Sequence, residues 1–190
     1  MYTEHRFAMS HFPPGLASLL LLALCVLLPV RFAHAAATCS VSSAGMGFGT
    51  YDPAGVNSTA ADTTSGSLVV NCGNSGQGFQ VFVSLSSGSS NNFAARAMTL
   101  GASALSYNIF KDANHLFVFG DGSSGTSMAT LCFAGQGNDG SNSSGNSDPC
   151  NGAGLPTDTP VSIPMYGLLP AGQDVAPGQY SDTITATLTF

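Results

Sequence analysis

Apolar and polar side chains alternate with a period of two through the last residues of the chain. Ile184, Ala186, Leu188 and Phe190 fall on one face, and Thr183, Thr185, Thr187 and Thr189 on the other. A strand with one face on a core and one toward water has this pattern, so residues 180–190 are expected to form the most regular strand. Residues 79–85 alternate likewise, with Phe79, Val81, Val83 and Leu85 in phase; Phe82 interrupts the polar face, which is therefore expected to be partly covered. In 105–110, Leu105, Tyr107 and Ile109 are in phase. Shorter β-rich runs occupy 67–72 and 116–119. Residues 161–169 also read as a strand, but Pro164 lacks an N–H and confines it to an edge or to a strand that switches sheets.

Turn clusters separate these runs: 51–55 (Tyr-Asp-Pro-Ala-Gly), 71–78, 86–92, 120–125 and 170–178. Short strands punctuated this often predict an all-β sandwich. Helical periodicity is confined to the first thirty or so residues, apart from room for one or two helical turns near 112–115. One stretch stands apart. Residues 135–148 (GQGNDGSNSSGNSD) hold no apolar side chain and have nothing to bury against their ordering cost. Flanked by Cys132 and Cys150, they read as a solvent-exposed loop stapled at its base. Calcium would have to use Asp139 and Asp148, but the D-x-[DN]-x-[DN]-G spacing and a Glu are absent.

Charge narrows the function classes. Only 7% of the 190 residues are charged, with four Lys and Arg against ten Asp and Glu, for a net charge of -6. Four basic residues provide no electrostatic footprint for nucleic acid. Residues 16–30 form an apolar run too short for a confident membrane span, followed by Phe32-Ala33-His34-Ala35, an A-x-A cleavage pattern. Residues 1–35 are therefore expected to be a signal peptide cut after Ala35, leaving a single domain over 36–190. That domain keeps Arg96, Lys111 and His115, has no Glu, and carries a formal charge of -7. With no further long apolar run, it is expected to be soluble after cleavage.

Export fits the cysteines. Cys39, Cys72, Cys132 and Cys150 remain, an even number pointing to two disulfides. Three pairings exist; Cys39–Cys72 with Cys132–Cys150 is favoured because each bridge closes one contiguous segment. Closing the first would contribute roughly 3–4 kcal/mol on the loop-entropy model. A zinc site is disfavoured because no C-x-x-C pair occurs. Catalysis finds little support: a Ser–His–Asp triad would have to use His115, there is no G-x-S-x-G elbow, Lys111 lies in the same turn, and no motif singles out a carboxylate pair among the Asp residues. No enzyme activity and no cofactor are expected.

Three motifs carry a resemblance. Cys39-Ser-Val-Ser with Phe48-Gly-Thr-Tyr-Asp-Pro53, Leu105-Ser-Tyr-Asn-Ile-Phe-Lys-Asp112 with Phe119-Gly-Asp-Gly122, and residues 170–190 (PAGQDVAPGQYSDTITATLTF) resemble the spore coat protein U domain family. The family is similar to secreted pilin subunits of archaic chaperone–usher systems in Gram-negative bacteria. The resemblance implies an incomplete immunoglobulin-like Greek-key β-sandwich lacking its last strand. Its implied partners are a periplasmic chaperone, an outer-membrane usher and a neighbouring subunit that donates a strand. Residues 180–190 end in their most regular pattern with nothing following to pair beside them. Ile184, Ala186, Leu188 and Phe190 are accordingly expected to be the assembly edge, with the terminal carboxylate held by a basic chaperone residue. A Cys39–Cys72 bridge would pin the first strand. The function expected is a structural subunit of a cell-surface pilus, reached through the periplasm, with a role in adhesion or biofilm. The alternative is a non-polymerising spore-coat or matrix protein. Two departures from the family pattern are the insertion between Cys132 and Cys150 and a very short N-terminal extension. Only Ala36 to Thr38 would precede Cys39, too little to serve as a donor strand, which points to the fibre tip.

Overall fold

The computed structural model describes residues 37–73, 78–133 and 154–190. Within these, eight strands form two antiparallel sheets, an immunoglobulin-like β-sandwich. They are β1 (Thr38–Ser43), β2 (Asp62–Gly73), β3 (Phe79–Leu85), β4 (Arg96–Leu100), β5 (Ser103–Phe110), β6 (Ala129–Phe133), β7 (Val161–Leu169) and β8 (Ala186–Thr189). One sheet has the order β1-β2-β7-β5-β4, the other β6-β3-β8. Apart from the β1–β2 and β4–β5 hairpin pairs, successive strands pass from one sheet to the other, so the core is built from residues far apart in sequence.

That core is the predicted alternation made solid. Val81, Val83 and Leu85 of β3 and Leu105, Tyr107 and Ile109 of β5 are all buried. They meet Leu68 and Val70 of β2, Leu131 and Phe133 of β6, and Ile163, Met165 and Leu169 of β7 in one cluster. Phe82 is half-buried, as its place on the outer face of β3 required. Cys39 and Cys72 stand directly opposite in the β1–β2 ladder, Cα atoms 4.1 Å apart, and are joined by a disulfide. Cys132 is also disulfide-bonded; its expected partner Cys150 lies outside the described residues, as do residues 1–35, expected to be a signal peptide, and residues 135–148, expected to be a loop, with Asp139 and Asp148.

Three expectations need correction. Residues 161–169 are not an edge: β7 is the middle strand of its sheet, paired with β2 along its whole length. Pro164 is tolerated because the β5 ladder reaches only Tyr166, Gly167 and Leu168, so at Pro164 β7 has a partner on one side alone. Residues 116–119 make no strand, only single bridges from Val118 to Phe110 and from Phe119 to Ser127. The 112–115 turn stays non-helical, closed by Asp112, whose carboxylate accepts the N–H groups of Leu116 and Phe117. The short 3₁₀ turns lie elsewhere, at Val56–Ser58 and Gly88–Ser90.

The 180–190 stretch also behaves differently from one long strand. At Ser181 it bridges Thr99 of β4, with N–H···O distances of 2.8 and 3.3 Å, in the five-stranded sheet. From Ala186 onward it pairs with β3, in the other sheet. The sheet-switching element is this one, and no proline was needed to make it.

Candidate functional site

β1 and β8 are end strands of their sheets. β1 is laddered to β2 and β8 to β3; the other edge of β8 carries no strand among the described residues. The two ends come near one another, and between them the core is open.

One wall of the opening is the chain that continues from β1. It leaves the ladder after Ser43, whose hydroxyl accepts the Gly45 N–H at 3.0 Å. Met46 and Phe48 then lie over β2 and β7 at two positions that lack side chains. A Cβ on Gly66 would stand 2.7 Å from Met46 Cγ, and one on Gly167 would stand 2.7 Å from Phe48 Cζ. Thr64 donates its hydroxyl to Gly47 O at 2.8 Å, and the Phe48 ring meets Tyr107 edge-on with centroids 5.8 Å apart. Glycine in two adjacent strands thus makes the seat that holds this wall.

The opposite wall is the chain from Val175 to Ala186. Its approach is fixed by Gln173, whose side-chain amide accepts the N–H of Ser106 at 2.7 Å and donates to Ser106 O at 2.9 Å. Gln173 therefore stands in for a paired strand beside β5. Tyr51 adds a tie, donating to Pro170 O at 2.9 Å and accepting the Gln173 N–H at 3.0 Å.

Between the walls lie two adjoining cavities of about 610 and 930 Å³ that share Met46, Phe48, Met98 and Tyr180. Their floor is made of buried core residues: Leu105, Tyr107 and Ile109 of β5, Leu68 of β2, Leu85 of β3 and Met165 of β7. Together they form a groove of mixed apolar and polar lining that reaches Ala186 at the start of β8. Exposed backbone edge plus apolar floor is what an added strand requires: main-chain hydrogen bonds give it a register, and pockets receive its alternate side chains.

Ile184 and Ala186 line this groove. Leu188 is half-buried on the core, and Phe190 is 57% exposed. Ile184, Ala186 and Leu188 therefore share the inward phase, whereas Phe190, past the end of β8, does not join it. Asp182, two residues before Ile184, belongs to the same inward row. Its Oδ1 accepts the N–H groups of Ser89 (2.9 Å) and Thr183 (2.8 Å), and its Oδ2 accepts the Tyr107 hydroxyl at 2.8 Å. Burial pushes the Asp182 carboxyl up, but these donors outweigh it and hold the group below the usual carboxylate range. Burial, reinforced by Asp182, pushes the Tyr107 hydroxyl far above the ordinary tyrosine value.

Below the groove sits Arg96, with no exposed surface at all. Its guanidinium donates to Ser86 O (3.1 and 2.8 Å), to Phe119 O (2.6 Å) and to Asn108 Oδ1 (2.7 Å), and lies 5.3 Å from the Phe93 ring centroid. Burial lowers its pKa from the ordinary arginine value. Four hydrogen bonds from a rigid fork satisfy oxygens from three parts of the chain, a task no other side chain matches.

His115 and Lys111, the residues a catalytic reading would need, serve packing. His115 meets Phe110 edge-on at 5.1 Å, and buried Lys111 donates its ammonium to Met128 O. Among the described residues, no group of three His, Cys, Asp or Glu is placed to hold a metal, and no helix is long and apolar enough to cross a membrane. Reasoning from sequence missed Met46, Phe48, Arg96 and Asp182. A signal was present for Asp182: it continues the even-numbered row of 184, 186 and 188 backwards.

Comparison with known proteins gives three results. The Spore Coat Protein U domain model matches residues 24–187. Protein U of Myxococcus xanthus is 33% identical over 173 residues, covering 83% of this chain and 80% of its own. A solved structure of the chaperone–tip adhesion subunit pre-assembly complex CsuC–CsuE, from archaic chaperone-usher Csu pili of Acinetobacter baumannii, is 19% identical with a TM-score of 0.47. It matches 82% of this chain, which spans 40% of the matched chain's length.

Proposed function

Because the chain belongs to the Spore Coat Protein U domain family, we propose that it is a structural subunit of an extracellular pilus, assembled with a chaperone and an usher by strand exchange. The observation that carries this reading is the groove between the 46–53 wall and the 175–186 wall, which reaches the start of β8, together with an edge of β8 that carries no strand among the described residues. An edge of this kind is an aggregation hazard in a free subunit, so a protein must cover it until assembly and a neighbour must cover it afterwards. The chaperone supplies the first cover and the donated strand the second. No bond is made or broken. The work is done by burial and ladder hydrogen bonds, and no catalytic residue or cofactor is assigned.

Within the fibre we place the subunit at the tip. With a cut after Ala35, the three residues before disulfide-bonded Cys39 reach about 10 Å and offer only two methyl-sized apolar side chains. At about 25 cal/mol per Å² of apolar area, that burial falls well short of a strand carrying Val, Leu or Ile. A subunit that accepts but does not donate occupies the end assembled first, where loops can meet a surface in adhesion or biofilm.

Co-expression with a candidate periplasmic chaperone, followed by pull-down, tests the reading. A soluble complex lost on deletion of 187–190 supports it; stable, soluble, monomeric subunit without any chaperone contradicts it. Immunogold label along the whole shaft would contradict the tip position alone.

A further inference from the structure

We propose that the groove selects its strand by charge: the strand it accepts carries a lysine at the one position facing Asp182, with apolar side chains at the other inward positions. This rests on the strand-accepting reading of the groove and names the chemistry of its occupant.

The inward row of the 180–188 wall runs Tyr180, Asp182, Ile184, Ala186, Leu188, with one carboxylate among apolar neighbours. That carboxylate is built in. Gly88, at φ 70°, leaves room where a Cβ would stand 2.2 Å from Asp182 Oδ2, and the adjacent Ser89 N–H is aimed at Oδ1. Two amides are on Oδ1 and the Tyr107 hydroxyl is on Oδ2, with the Ser89 side chain also acting on the carboxylate. An asparagine would receive the same two amides; the negative charge is more than this turn requires.

Among the described residues no cation hydrogen-bonds to this charge; Arg96 attracts it only from a distance. The formal charges lining the groove are Asp182 and Asp52, both negative. The two Lys and Arg side chains among the described residues, Arg96 and Lys111, are buried and committed to carbonyl and amide oxygens, with Asp182 absent from their hydrogen bonds. A strand that fills the groove with aliphatic side chains takes Asp182 out of water without replacing its solvation. A lysine corrects this. Its four-carbon stem lies along the apolar floor, and its ammonium reaches Oδ2 for a charge-assisted hydrogen bond. The groove thereby gains a fixed register, since a slip of two residues would set the lysine against Ile184 or Tyr180.

The test uses the purified protein and twelve-residue peptides of alternating Val and Thr, in which one Val at a time is replaced by Lys. Binding is read by fluorescence anisotropy. One Lys position binds about tenfold more tightly than the all-Val peptide. Acetylating that lysine removes the gain. In Asp182→Asn the preference disappears while the all-Val peptide still binds, which also reports that the variant is folded. In Tyr107→Phe, where Oδ2 has lost its hydroxyl partner, the preference grows. Equal affinity for every peptide, or a preference that survives in Asp182→Asn, overturns the charge selection and leaves the groove reading standing. Absence of binding by every peptide to the unmodified protein overturns the groove reading, and this inference with it.

Discussion

The hydroxyl of Tyr107 donates a 2.8 Å hydrogen bond to Oδ2 of Asp182, joining the middle of β5 to the stretch of chain that changes sheets. A buried tyrosine and a half-buried carboxylate are thus coupled, and the coupling has a pH signature. Asp182 is held below the usual carboxylate range, so its contribution to stability is present above about pH 4 and is lost as pH falls through the lowered value. Tyr107→Phe should destabilise the protein by about 1–2 kcal/mol at pH 7, and the difference should narrow as pH falls below about 4. Thermal melts of the two proteins across that range check it. A difference that stays constant would mean the hydroxyl acts independently of Asp182. At the other extreme, Tyr107 holds its proton more tightly when folded. Stability should therefore fall as pH rises beyond the ordinary tyrosine value of about 10.

Arg96→Lys should be costly although charge is kept. Lysine cannot reach Ser86 O, Phe119 O and Asn108 Oδ1 at once, so buried acceptors lose their donors. A loss of about 2–4 kcal/mol is expected, read as a lower urea midpoint at unchanged slope. A shift under half a kcal/mol, roughly the scatter of surface substitutions, would contradict the role given to the fork.

Gly167→Ala should push Phe48 off its seat. The added Cβ falls 2.7 Å from Phe48 Cζ and 2.9 Å from Thr64 Cγ2, an overpacking that typically costs about 1–3 kcal/mol. Adding Phe48→Ala should recover part of that loss, because the clash with the ring is gone and only the one with Thr64 remains. A double-mutant cycle from denaturant unfolding measures the coupling; additive effects would show that the two residues do not share the site.

The C-terminal row should be graded. Leu188→Ala removes a half-buried side chain from the core and should destabilise by about 1–3 kcal/mol, whereas Phe190→Ala, 57% exposed, should change folding stability by less than about 0.5 kcal/mol. Thr185→Ser with Thr187→Ser, on the outer face, should leave chaperone capture intact, and deletion of 187–190 should abolish it. Thermal melts and pull-down together separate the stability effect from the capture effect.

What could be read from sequence followed side-chain period. β3, β5 and the 184–188 row announced themselves because one face of each is continuously apolar. β1, β4 and β6 did not: β6 (Ala-Thr-Leu-Cys-Phe) is short and buried on both faces, so it has no alternation to detect, and β4 is read only through its pairing with β5. β2 extends back to Asp62 through a polar, glycine-containing half that looks like a turn until β7 is beside it. An unpaired edge on the last strand was expected from sequence; the wall that holds Met46 and Phe48 was not. Met46 and Phe48 matter because of Gly66 and Gly167, and nothing local in sequence ties those pairs together. Arg96 had no role assigned from sequence; its buried place is set by three oxygens contributed from Ser86, Asn108 and Phe119.

The bridge between Cys39 and Cys72 sits at the second residue of β1, opposite the end of β2. In mechanical terms this changes the load path. Tension applied to the chain ahead of Cys39 passes covalently into β2, which is hydrogen-bonded to β7 over nine residue pairs from Val70 back to Asp62. The β1 ladder is never the first thing to carry force, and it cannot be peeled open from its N-terminal end. Reduction would move the weak point to that ladder, making the domain yield at β1 under loads it otherwise bears through the sheet.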